Sequence, residues 1–240
     1  MENIDAPNLH LAVKFLKELR IQMVGGLPHY GNYGLFFRND EITTGLMNNK
    51  KEIKINLLDG SFHYYDTENG NTFDITKPES PKSILEFLQN LGFETSKLEL
   101  NSISLDQMHR YREFSILGNR YLELVRMRLS GQYSQVYLWG HNFDFDLVWF
   151  TGSRSSEGYD EQIDIGVTPG DGGHPAPYLY VTPRPFNDKI INSELPIGKW
   201  VTEGWKGILV EWNELIVKPQ NEIVDLIEAL FNIGKKNFDN

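Results

Sequence analysis

The chain contains no cysteine. That excludes disulfides, thiolate nucleophiles and cysteine-bound zinc or iron–sulfur centres, and it suits a reducing compartment, so the cytoplasm is the expected location. Long apolar runs are missing as well: no window reaches the roughly 18–20 apolar residues that a bilayer-spanning helix needs. The opening MENIDAPNLHLAVKFLKELR puts acids ahead of its first apolar stripe. It lacks the basic start and continuous apolar stretch of a secretory signal. Positive charge is scarce, with 23 Lys and Arg against 33 Asp and Glu and a net charge of −10. Nucleic-acid binding rests largely on neutralising phosphates, so neither nucleic acid nor a membrane is expected as a partner. The strings GxGxxG, Walker A, HExxH and GxSxG are all absent.

What is present has the balance of an ordinary globular chain, 40% hydrophobic and 23% charged over 240 residues, with length enough for a sizeable core. Four amphipathic helices are predicted. From about Asn8 to Val24, Leu9, Ala12, Val13, Leu16, Leu19 and Met23 share a stripe that Gly25–Gly26 ends. Ser80 and Pro81 open a second helix, closed by Gly92, with Ile84, Leu85, Leu88 and Leu91 as its buried face. A third begins at a capping box, Ser104 to Gln107, with Tyr111, Phe114, Leu117, Tyr121, Leu124 and Val125 inward. The last starts near Pro219 and closes at Gly234.

Between the helices the apolar period shortens to two. Ile53, Ile55 and Leu57 alternate with Lys54 and Asn56; Asp59–Gly60 turns the chain into Ser61–Tyr65, and Asn69–Gly70 turns it again into Thr72–Ile75. Further strands are predicted near Gln135–Trp139, Phe143–Phe150, Gln162–Val167, Tyr178–Thr182 and Lys206–Trp212. Short links favour antiparallel pairing, because parallel strands need long crossovers. The expected fold is α+β, a mainly antiparallel sheet with about four packed helices. Residues 1–240 read as a single globular domain. The order helix, meander, helix occurs twice, which also admits two similar, intimately packed halves, 1–95 and 104–240, parted by the polar stretch Glu94–Ser104.

All five tryptophans fall in the second half, beside glycine- and proline-rich loops. Such loops on a rigid sheet are one way to build a pocket, although a large sheet also needs aromatic core. In LWGHNFDFDLVWF, Leu138 to Phe150, a turn at Gly140–His141–Asn142 puts Phe143, Phe145, Leu147 and Trp149 on one face of the next strand. Asp144 and Asp146 then share the other face, about 7 Å apart. Carboxylates so spaced can act as acid and base or hold a hard cation. The plainer alternative is the wet side of an amphipathic strand. In GDGGHPAPYLYVTPRP, His174, Tyr178, Tyr180 and Arg184 suit recognition of a carboxylate or phosphate, against the plainer reading of a stiff loop satisfying its own turns.

These strings resemble an uncharacterised bacterial family, domain of unknown function 5996. NLHLA at Asn8–Ala12 is similar to its TLHLW-type helix, and YLWGHNFDFDLVWFTG at Tyr137–Gly152 to its FFWGSFDLAVTRFSG strand. GVTPGDGGHPAPYLYVTPRPF at Gly166–Phe186 is similar to its GFWPGGG…PAFYAYAYPEP segment, with Thr168 where an aromatic residue is usual. The resemblance implies a shared architecture and no particular activity.

The expected function is that of a small-molecule binding protein, or an enzyme of unassigned reaction. The candidate ligand-binding residues are Trp139, His141, Asp144, Asp146, His174, Tyr178, Tyr180 and Arg184. No cofactor or structural metal is expected; at most a weak hard-cation site forms at Asp144 and Asp146, joined by His141 or Asp171. The alternative is an acidic protein–protein interaction module, an immunity-type inhibitor of a basic partner, which the net charge favours.

Overall fold

A computed structural model of the chain describes residues 4, 6–27, 31–46, 50–67, 70–156 and 158–238. Among these, twelve strands pair antiparallel throughout and five α-helices accompany them, so the fold is α+β as expected. The chain divides into two compact units. The N-terminal unit holds Ile4–Ile116 and Tyr137–Phe143; the C-terminal unit holds Leu117–Val136 and Asp144–Asn240. The division falls inside a helix and not in the polar stretch Glu94–Ser104.

The N-terminal unit contains α1 (Pro7–Met23), β1 (Gly34–Arg38), β2 (Glu41–Thr43), β3 (Glu52–Asn56), β4 (Ser61–Tyr65), β5 (Gly70–Asp74) and α2 (Ser80–Asn90). α3 (Leu105–Arg126) begins there, and Ser104 Oγ accepts the Gln107 N–H at 3.3 Å, which is one half of the expected capping box; Gln107 Oε1 is buried without a partner among the described residues. Its strands run β7, β1, β2, β3, β4, β5, with β7 formed by Tyr137–Trp139. Sequence reading missed β1 and β2. Asn39 and Asp40, both at positive φ, make the tight turn between them. Asn69, half of the second predicted hairpin turn, lies outside the described residues. Leu91, placed on the buried face of α2, is exposed, because α2 has already ended at Asn90.

The turn after β7 forms where expected. The Phe143 N–H donates to Trp139 O at 2.8 Å and Phe143 takes a φ of 63°, an uncommon conformation for an aromatic residue. Packing holds it there: its ring stacks on His10 at 4.8 Å and on Tyr111 at 4.0 Å. Asp144 is the next residue.

The C-terminal unit contains β6 (Gln132–Tyr133), β8 (Asp144–Arg154), β9 (Asp160–Thr168), β10 (Tyr178–Arg184), β11 (Lys199–Val201), β12 (Gly207–Glu211), α4 (Trp212–Ile216) and α5 (Gln220–Lys235). Its strands run β8, β9, β10, β12, β11, with β6 on the other side of β8. One face is apolar: Phe145 and Leu147, Ile163, Ile165 and Val167, Leu179 and Val181, Ile208 and Val210 are all fully buried. Each such side chain contributes about 1.5–3 kcal/mol by leaving water. Helices approach this face at glycines. A Cβ on Gly234 of α5 would sit 3.4 Å from Val181 Cγ1, and one on Gly118 of α3 only 2.6 Å from Val167 Cγ2.

Gly118→Ala is therefore expected to destabilise the protein by about 1–3 kcal/mol through overpacking. This holds although alanine is the better helix former by about 1 kcal/mol. Urea denaturation measures it; a more stable variant would show that α3 can lift off the sheet freely.

Candidate functional site

The opposite face of the same sheet is polar, and register assembles it. Asp146 lies across from Gly166, which lies across from Tyr180; Val148, Asp164 and Thr182 form the next row. Cross-strand partners point to the same side, so Asp144, Asp146, Asp164, Tyr178, Tyr180 and Arg184 share one face. Gly166 makes their meeting possible. A Cβ there would lie 2.1 Å from Tyr180 Cζ, so the tyrosine ring crosses the space that a side chain on β9 would fill. Its hydroxyl donates to Asp144 Oδ2.

The expectation that Asp144 and Asp146 form the wet side of an amphipathic strand is overturned. Asp144, Asp146 and Asp164 are 3%, 7% and 4% exposed. Among the described residues, only Asp164 of the three forms an ion pair: Arg184 Nε donates to its Oδ2 at 2.6 Å, and Gln162 Nε2 donates to its Oδ1 at 2.6 Å. The Arg184 side chain is itself 65% exposed, so it reaches a buried acid from the solvent side. Oδ1 of Asp144 and Oδ1 of Asp146 are buried without a hydrogen-bond partner among the described residues. Native structures leave few such atoms bare, and each costs about 1–3 kcal/mol.

Burial shifts the whole group. It pushes the Asp144 carboxyl up to about 7, against the pull of the Tyr180 hydroxyl. Asp146 rises well above the carboxylate range, through burial first and then the charges of Asp164 and Asp144. Asp164 also rises through burial, although Arg184 and Gln162 oppose it. Tyr180 is raised by burial and by the surrounding carboxylates. Like charges held together out of water cannot all ionise.

A second cluster adjoins the first. Asp171 Oδ1 accepts the N–H groups of Gly173 and His174 at 2.7 and 2.8 Å, and its Oδ2 accepts the Tyr178 hydroxyl at 2.6 Å. Burial raises the Asp171 carboxyl, but these three donors outweigh it and hold the group below its ordinary value. This loop does satisfy its own turns. His174 Nε2 meets Glu211 Oε2 at 2.9 Å, and its ring stands edge-on to Tyr178 at 5.1 Å. Trp205 stacks on Tyr178 at 6.1 Å and meets Tyr180 edge-on at 6.3 Å. After Arg184, the buried Asn237 clamps the chain, donating to Pro185 O at 2.8 Å and accepting from Asn187 N at 2.7 Å.

Of the candidate residues, six thus come together in the C-terminal unit: Asp144, Asp146, His174, Tyr178, Tyr180 and Arg184. Trp139 and His141 belong to the N-terminal unit, where their rings meet edge-on at 6.0 Å. Sequence reading missed Asp164, Glu211 and the role of Trp205. The signal for Asp164 was present, since an acid alternating with Ile163, Ile165 and Val167 must face away from the core. Among the described residues no three His, Asp or Glu side chains are arranged to hold a metal ion. Asp171 spends its oxygens on its own loop, so it is not free to complete a hard-cation site with Asp144 and Asp146. A surface groove of about 590 Å³ lies in the N-terminal unit, lined by Asn8, Leu85 and Leu100 among others. Its charged members Lys82 and Glu86 are exposed and pair with each other at 3.8 Å.

No family model matches the chain, and no curated protein and no solved structure shows significant similarity to it. Among the described residues no helix is long and apolar enough to cross a membrane.

Two outcomes follow from the buried acids. An acid whose folded value is raised binds more protons when folded, so the stability it contributes is present below its unfolded value and lost as pH rises through the folded one. For Asp144 that window runs from 3.8 to about 7, a loss on the order of 4 kcal/mol. Chemical denaturation across this range should show stability falling, and Asp146→Asn should flatten the fall and stabilise the protein on the alkaline side. Stability rising with pH would mean that the acids are held as anions. Separately, Gly166→Ala should displace the Tyr180 ring and strip Asp144 of its donor. Tyrosine fluorescence and the pH profile should change together; an unaltered profile would show that the phenol does not govern Asp144.

Proposed function

We propose that the protein is a cytoplasmic small-molecule binding protein whose ligand docks on the polar face of β8, β9 and β10. One observation carries this reading: the buried, unpartnered Oδ1 atoms of Asp144 and Asp146. A fold that served packing alone would gain by replacing them with apolar groups of similar size. Groups that cost stability in the free protein are retained where a ligand uses them. Asp144, held at about 7, is suited to give or take a proton from that ligand, which is where an enzymatic role would reside. Of the three strings resembling domain of unknown function 5996, one lies on α1, one spans β7 and most of β8 with Asp144 and Asp146, and the third, 166–186, carries Tyr178, Tyr180 and Arg184 but not Asp164.

The rival reading, an acidic module that blocks a basic protein, draws on the net charge of −10. Local pairing works against a continuous acidic patch. Asp225 and Glu228 share Arg128, Glu222 pairs with Lys218, and Asp188 with Lys206.

A thermal-shift screen of chemically diverse small polar compounds separates the two. The binding reading expects at least one compound class to raise the melting temperature of the wild type by several degrees and to leave Asp146→Asn unmoved. No stabilising compound, together with salt-sensitive capture of a basic protein, would favour the rival.

A further inference from the structure

The polar face is short of positive charge. Three buried acids lie on it, and among the described residues the one cation that reaches them is Arg184, bound to Asp164 at the edge. Asp144 receives a neutral phenol donor, and Oδ1 of Asp146 receives none. The ligand that completes this arrangement must bring N–H or O–H donors, because both bare atoms are acceptors when the acids are ionised. Aromatic rings border the same place. Tyr178 and Tyr180 point to the acid face by register, and Trp205 contacts both rings. A ring face beside a carboxylate is a favourable setting for an organic cation.

Resting on the binding reading, we propose that this face takes a small protonated primary amine. Its N–H groups are held by Oδ1 of Asp144 and Asp146, and its charge lies against the rings of Tyr178, Tyr180 and Trp205. Arg184 already shows the principle at the edge of the sheet, where a guanidinium donates to a buried aspartate. A quaternary ammonium ion would satisfy the rings and leave both oxygens bare. A neutral alcohol would supply one donor and no charge.

Binding would also move protons. The groups that face the amine from the packed strands are Asp144 and Asp146 on β8, Asp164 on β9, and Tyr178, Tyr180 and Arg184 on β10; beyond Tyr178 come Asp171, which it binds, and Glu211 of β12, which pairs with His174 and Lys199. Since burial favours the protonated forms of Asp144 and Asp146, an entering cation opposes that preference and drives protons off. A neutral ligand would not.

The test uses the full chain and three probes: butylammonium, tetramethylammonium and butan-1-ol, each at matched ionic strength. Tryptophan indole N–H resonances report binding, and calorimetry in buffers of different ionisation enthalpy reports proton release. Butylammonium is expected to shift one indole signal saturably and to release protons, and tetramethylammonium to bind at least tenfold more weakly. Asp146→Asn, which keeps side-chain size, is expected to weaken butylammonium at least tenfold. Asp144→Asn serves as the second variant should the first fail to fold. Equal binding of butan-1-ol, or butylammonium affinity unchanged in the variants, would overturn the amine assignment. In that case a neutral compound found by thermal shift would leave the binding reading standing. Absence of binding by every probe and every screened compound would sink both.

Discussion

Tyr180 reaches Asp144 because position 166, between them on β9, has no side chain. Much of the C-terminal unit follows from that contact. The strand order places β9 between β8 and β10, so any side chain at 166 would stand between the phenol and the acid. With glycine there, the ring lies down across the strand and delivers a donor to a carboxyl that forms no ion pair among the described residues. Remove the crossing, and Asp144 would join Asp146 as a buried acid with little to bind. The glycine thus acts electrostatically, by letting a neighbour through.

The two faces of this sheet work against each other energetically. The apolar face, packed on α3 and α5 at Gly118 and Gly234, supplies the burial that holds the unit together. The polar face withdraws part of that stability by keeping three acids out of water, two of them with bare oxygens. A strained or costly site persists only where surrounding structure over-determines it. Here the surroundings are specific: Phe143 is fixed by His10 and Tyr111 just ahead of Asp144, and Asn237 clamps the chain just beyond Arg184. The Asn237 clamp anchors the far end of the polar face by contacts that do not involve the acids.

Much of this was legible in the residues. The helices announced themselves by stripe and cap, as at Ser104 and Gln107, and most of the long strands by alternation. The alternation in FDFDLVWF correctly assigned Asp144 and Asp146 to one face and Phe145 and Leu147 to the other. Short edge strands such as β6 and β11 escaped because two or three residues carry no period. The hairpin of β1 and β2 escaped because its turn is Asn39–Asp40 and lacks the glycine that usually marks such turns. Trp139 and His141 looked like part of the site because they adjoin Asp144 in sequence, yet the chain changes units between Phe143 and Asp144.

By itself, then, the sequence determined which side chains share a face of each strand, because the pleat alternates with a period of two whatever the surroundings. It also determined that no thiolate chemistry is open to the protein. Only the tertiary structure decided that the acid face is dry, that Asp164 belongs to it, and that Tyr180 crosses to Asp144. Those facts depend on the pairing of residues 146, 166 and 180. Register between strands so far apart in the chain is set by packing of the opposite, apolar face, and no local pattern encodes it.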